Sequence, residues 1–253
     1  MTIPSYEEKN FAKLEKKLGV KFKNKNYLVQ ALVHRSYLNE NRDFPLSHNE
    51  RLEFLGDAVL ELAVTEYLFE NYLNPEGELT NWRAALVNAK MCATVSNELG
   101  VEEFLFLSHG EAKDAGTKAR EYILANVLEA VIGAIYLDQG WEISKQFVTR
   151  WVINKLPEVL DLGLWMDPKS RFQESAQDII GVTPNYKVLK EDGPDHDKIF
   201  VVGVYLDKKK IAEGKGGSKQ EAQVDAAEKA LIIKKWKGPK IEILKRKPGD
   251  QIS

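Results

Sequence analysis

Three carboxylates fall within eight residues: Glu50, Glu53 and Asp57, in the stretch HNERLEFLGDAVL at 48–60. Offsets of i, i+3 and i+7 put all three on one face of an α-helix. Downstream, in ILANVLEAVIGAIYLD, Asn126 and Glu129 stand i, i+3 apart with apolar residues on both sides. A charged side chain is seldom buried in such surroundings without a partner. Oxygen donors converging from two helices suit a hard divalent cation such as Mg²⁺, which keeps several waters and can activate one of them. Solvated carboxylates on two amphipathic helices would show the same spacing. Gly56 bears on that choice, because a glycine inside a helix lets another backbone come close. Geometry alone leaves both readings open. Covalent chemistry has less support, since Cys92 and the four histidines show no pairing of nucleophile with base. His34 and His48 read as structural or surface residues.

The elements that must carry these residues are helical. Apolar periodicity predicts helices over 6–18, 26–34, 48–72, 79–99, 118–137 and 143–160. Glycines at 19, 100 and 140 stop three of them, and Pro75 with Gly77 breaks the chain between the third and fourth. No alternating strand pattern precedes residue 180. Beyond 162 the pattern changes. A helix over 169–180 precedes strands over 184–190, 198–206 and 209–213, and a helix over 218–235 follows, with Ser218 and Glu221 as its capping box. The expected fold is therefore mainly α: an all-helical domain over 1–160, a linker over 161–166, an α-β-β-β-α domain over 167–237 and a charged, loosely ordered tail over 238–253.

Charge divides the same way. The chain has 36 basic and 38 acidic residues, yet residues 1–165 hold 18 against 24 and residues 166–253 hold 18 against 14. The first part is suited to gather cations and the second to meet a polyanion. A lone cysteine, in an apolar helical stretch, reads as a small buried side chain and fits a reducing, cytoplasmic setting. No apolar run reaches membrane-spanning length, and residues 1–19 lack the apolar segment of a signal peptide.

ERLEFLGDAVL closely resembles the signature of the ribonuclease III family. LVQALVHRSY at 28–37, NPEGELTNWRAALV and REYILANVLEAVIGAIYLDQG resemble further blocks of that family. DPKSRFQESAQ with the final α-β-β-β-α unit resembles its double-stranded-RNA-binding domain. The resemblance spans about residues 6–236. It implies a Mg²⁺-dependent endoribonuclease, with Mn²⁺ as substitute, that hydrolyses both strands of duplex RNA to 5′-phosphate ends with short 3′ overhangs in ribosomal and messenger RNA precursors. It assigns catalytic roles to Glu53, Asp57, Asn126 and Glu129, with Glu53, Asn126 and Glu129 on the metal, and it puts Glu50 and Glu76 in the surrounding acidic valley. Asn126 departs from the family pattern, which has Asp there; the amide keeps a carbonyl ligand and loses a charge. A duplex has two strands, so the resemblance implies a homodimer with one site per strand and Phe54 at its interface.

Proteins read duplex RNA by shape, phosphates and 2′-hydroxyls, because its base edges lie in a deep groove. The resemblance implies three contacts: Gln173 and Glu174 on the first helix of the second domain, the loop at 193–196 with His196, and Lys215, Ser218 and Lys219 at the start of the last helix, where free N–H groups favour phosphate. Gln220 stands where the family often has a second lysine. Two rivals are a duplex-RNA-binding protein without activity, for which Asn126 speaks, and a DNA nuclease, against which the second domain speaks.

Overall fold

The computed structural model describes residues 10–114, 116–194, 198–237 and 241–246. It divides into two compact units, one of 1–156 with 244–253 and one of 157–243.

The first unit runs α1 (Phe11–Leu18), α2 (Lys25–Ala31), α3 (Arg35–Glu40), α4 (Glu50–Asn71), α5 (Glu76–Val87), α6 (Ala89–Leu99), α7 (His109–Lys113), α8 (Lys118–Gln139) and α9 (Trp141–Trp151). At its centre is α8. Val127, Leu128, Ala130, Val131, Ile132, Ala134 and Ile135 are all buried, so the helix is apolar around most of its circumference. Such a helix belongs inside a bundle, where each large side chain contributes about 1.5–3 kcal/mol on leaving water. Around it pack α2, α4, α6 and α9.

Several boundaries differ from the periodicity, each for a local reason. The single helix expected over 79–99 is two, because Asn88 adopts an extended backbone and its Oδ1 accepts from Met91 N–H to cap α6. The helix expected over 143–160 stops at Trp151, and α10 (Leu156–Leu162) starts afresh with Pro157 in its first turn, where proline's missing N–H costs nothing. His34, expected to end a helix, instead caps α3: its Nδ1 accepts from Ser36 N–H. The described part of the first helix begins at Phe11 and ends at Gly19, φ 74°, as expected of a glycine C-cap. Of the expected tail, residues 244–246 are paired to the first unit and not loose.

In the second unit α11 (Pro168–Ile180) precedes β1 (Asn185–Asp192), β2 (Ile199–Leu206) and β3 (Lys209–Gly216), an antiparallel sheet in the order β1-β2-β3, and α12 (Lys219–Lys234) closes it. Residues 161–166, expected as linker, hold the end of α10 and a turn at Gly163. The core joins Phe172 and Ala176 of α11, Val204, Leu206 and Ala212 of the sheet, and Ala226, Ala227, Ala230 and Leu231 of α12. The small residues let α12 lie almost on the backbone of β3: a Cβ on Gly214 would sit 2.2 Å from the Ala222 carbonyl oxygen.

Candidate active site and nucleic-acid interface

The acidic face of α4 is aimed by its first turn. Asn49, only 3% exposed, donates through its side chain to the Ala31 carbonyl (3.2 Å) and through its N–H to the Val33 carbonyl (2.9 Å). These bonds tie the start of α4 to the loop after α2, so Glu50 and Glu53 leave the helix in a fixed direction. The start of α8 is tied likewise. Arg120, 4% exposed, donates to the Glu111 carbonyl and lies 3.6 Å from the Glu102 carboxylate. Neither anchor is visible in the sequence, since Ala31 and Glu102 each lie 18 residues away from the side chain they hold.

What brings the two acidic helices together is missing side chains. A Cβ built on Gly56 would lie 1.7 Å from the Glu129 carbonyl oxygen, and one on Gly133 would lie 2.2 Å from that of Leu52. The helices therefore cross with main chain on main chain, and α4 presents Glu53 and Asp57 toward the stretch of α8 that carries Glu129. The charges feel each other. Burial, then Asp57 and Glu53, push the Glu129 carboxyl up to about 7. Burial, then Glu50 and Asp57, raise Glu53. Beneath them Cys92 is fully buried, and its thiol is pushed up to about 12 by burial first and by Glu129 and Asp57 next. It is a packed apolar side chain, not a nucleophile.

Asn126 lies one turn before Glu129 and is half-buried. Glu50 is exposed and ion-paired with Arg35 at 3.7 Å, and the His48 ring Nδ1 lies at the same distance from it. Glu76 is exposed in the first turn of α5 and makes no hydrogen bond or ion pair among the described residues. As the side chains stand, no three His, Cys, Asp or Glu among the described residues form a cage for a metal ion. What the backbone fixes is the approach of the two helices. The donors themselves suit a hard divalent cation: every influence on Glu129 opposes its negative charge, and none comes from a basic side chain.

Phe54, next to Glu53, is 82% exposed. Phe54 is therefore no part of this chain's own core. Leu62, two turns further along the same helix, is 56% exposed. The buried set on α4 is Leu52, Gly56, Val59, Leu60, Ala63, Val64 and Leu68. The apolar residues of this helix thus exceed what the single chain buries.

In the second unit Gln173 and Glu174 lie exposed on α11, and Lys215, Ser218 and Lys219 lie exposed where β3 passes into α12. His196 and its loop neighbours at 195–197 lie outside the described residues. Ser218 has a structural task, since its Oγ accepts from Glu221 N–H (3.1 Å) while Glu221 Oε2 accepts from Gly217 N–H (2.9 Å). Lys219 is paired with Glu191 at 2.9 Å and lies over the Phe200 ring. An exposed pair of this kind holds by about 1 kcal/mol or less, so a phosphate can recruit the lysine. Lys219→Ala should weaken duplex-RNA binding at every sequence and shallow the salt dependence by about one phosphate. Glu191→Gln, which releases the lysine and deletes a carboxylate, should act in the opposite sense. Filter binding across a salt series checks both, and equal slopes for Lys219→Ala and the parent would remove Lys219 from the interface.

Comparison with known proteins covers both units. A ribonuclease-III-like family model matches residues 24–156, and a double-stranded RNA binding motif matches residues 168–233. The Ribonuclease 3 of Campylobacter jejuni is 44% identical over 224 residues, 88% of this chain and 97% of that protein. The Ribonuclease 3 of Carboxydothermus hydrogenoformans is 44% identical over 231 residues, 90% of this chain and 97% of that protein. A solved nuclease domain of Ribonuclease III from C. jejuni, reported with structural flexibility in a region involved in dimer formation, superposes with a TM-score of 0.53 at 44% identity, covering 58% of this chain and 99% of that one. Both the crossing acidic helices and the helix-closed sheet fall inside these matches, in the same order and over nearly the whole length, so the chain belongs to the ribonuclease III family.

Proposed function

We propose that this chain acts as a homodimeric, Mg²⁺-dependent endoribonuclease. It hydrolyses both strands of double-stranded RNA to 5′-phosphate ends with short 3′ overhangs and processes ribosomal and messenger RNA precursors in the cytoplasm. The observation that carries the proposal is the crossing of α4 and α8 at Gly56 and Gly133, which gathers Glu53, Asp57 and Glu129 in one electrostatic field. Glu53, Asn126 and Glu129 would hold the metal, and Mn²⁺ can replace Mg²⁺ on such oxygen donors. When bound, the metal supplies an activated water and neutralises charge on the scissile phosphate. Asp57, exposed on the same face as Glu53 one turn on, is placed to accept a hydrogen bond from water. Glu50 and Glu76 make the approach acidic. The basic second unit meanwhile supplies affinity for the phosphates that the acidic unit would repel.

The proposal is tested by incubating duplex RNA, single-stranded RNA and duplex DNA with the protein, with and without Mg²⁺. Metal-dependent cutting of duplex RNA alone is expected; cutting that persists in excess chelator would defeat it. The amide at 126 gives a second check. Asn126→Asp restores a fourth charge, so half-saturating Mg²⁺ should fall about 10-fold. An unchanged Mg²⁺ requirement would take Asn126 out of the donor set.

A further inference from the structure

After the second unit the chain returns to the first, and Leu244–Arg246 lies on the corner where α4 ends and α5 begins. Leu73 N–H donates to the Leu244 carbonyl (2.7 Å), and Arg246 N–H donates to the Asn71 carbonyl (2.9 Å). Leu244 N–H donates to Asn74 Oδ1 (2.9 Å). Tyr72 and Lys245 thereby form an antiparallel bridge. The Arg246 guanidinium lies over the Phe69 ring, 5.2 Å from its centroid.

These contacts answer needs that the corner has. The last carbonyls of any helix lack intrahelical donors, and the negative end of its dipole favours cations. The last turn of α4 has no basic residue of its own. The returning segment brings one N–H to the Asn71 carbonyl and two cations, Lys245 and Arg246, to that end. Asn74 is the link onward. It is buried, it accepts from Leu244, and its Nδ2 donates to Glu78 Oε2 (2.7 Å) in the first turn of α5. Glu76 stands between these two residues. The second unit closes its core without this segment, by stacking Trp236 on Phe172.

We propose that Leu244–Arg246 is a clasp of the catalytic unit supplied by the chain's own end: it docks on the α4–α5 corner, holds the first turn of α5 and so places Glu76. The placement of Glu76 rests on the proposed reading of the acidic valley, whereas the docking does not. The test compares three proteins: the full-length parent, a chain ended after Ile243, and full-length Leu244→Pro, which lacks the N–H given to Asn74. Amide exchange at Leu73 and in the first turn of α5 should quicken about 10-fold or more in both variants, with amides of α12 unchanged. Cleavage of duplex RNA should slow several-fold in kcat at constant KM. Unchanged Leu73 exchange in the shortened chain overturns the clasp. Faster exchange with parental kcat overturns its hold on Glu76. The exchange result decides the docking whether or not the parent cuts RNA.

Discussion

Glu129→Gln should abolish cleavage and at the same time make the protein more stable. The loss follows from the proposed donor set. Removing even a group that orients a metal ligand commonly costs about 10–100-fold, so removing a ligand charge should cost at least about 100-fold in rate at saturating Mg²⁺. Affinity for duplex RNA, which resides in the other unit, should be unchanged. The gain follows from the raised carboxyl, which shifts from 4.5 to about 7 on folding. The folded chain holds this proton more tightly than the unfolded chain does. Below pH 4.5 both states are protonated and nothing is lost. As pH rises from 4.5 to 7 the unfolded state ionises freely while the folded state resists, and above 7 the full penalty is present. Discounted for the partial solvation of the side chain, the penalty is about 2 kcal/mol. A neutral amide never incurs it. At pH 8 without Mg²⁺, Glu129→Gln should melt about 4–8 °C above the parent, and the gap should close by pH 4.5. Equal melting temperatures at pH 8 would show that Glu129 is not held against its charge.

The second large effect concerns Phe54. An 82% exposed phenyl ring on a helix whose opposite side is core is costly to leave in water. In the proposed homodimer, burying it in a partner's pocket would contribute about 2 kcal/mol, and a two-fold interface would bury two. Phe54→Ala should therefore raise the dimer dissociation constant roughly 1,000-fold, from about 4 kcal/mol in total. Sedimentation over a concentration series measures this directly. Loss of coupled cutting of both strands should track loss of the dimer. A parent protein that sediments as a monomer at micromolar concentration yet still cuts both strands together would end the dimer model.

Local rules reached far in this chain. The spacing of Glu50, Glu53 and Asp57 read as one helical face, the close approach at Gly56 was legible from glycine's missing side chain, and the capping box at Ser218 fixed the start of α12. What escaped was non-local or double in meaning. Gly133 is the other half of the crossing, yet inside a long apolar run it reads as one more small residue. Asn88 and Pro157 carry breaking signals that continuous apolar periodicity masked. Asn49 and Arg120 are polar residues whose partners lie far along the chain, so nothing nearby marks them as buried anchors. The pairing of Lys219 with Glu191 is hidden for the same reason. The end of the chain looked loose because it is charged and contains proline, while the corner that receives it is visible only once α4 and α5 are in place.

The contact of Gly56 with Gly133 also shapes how such a protein can diverge. Where two helices are spaced by side chains, every change of an aliphatic residue shifts the spacing a little, and a site built across them drifts. Here the distance between the acidic helices is set by peptide groups that no substitution elsewhere alters. The surrounding aliphatic layer, Leu52, Val59, Leu128 and Ile132, can exchange members of similar volume with little movement of the acids. A single methyl at either glycine must force both helices apart. Variation is thereby spread across a tolerant shell and barred at two points, which lets the sequence of the bundle wander while its chemistry stays in register.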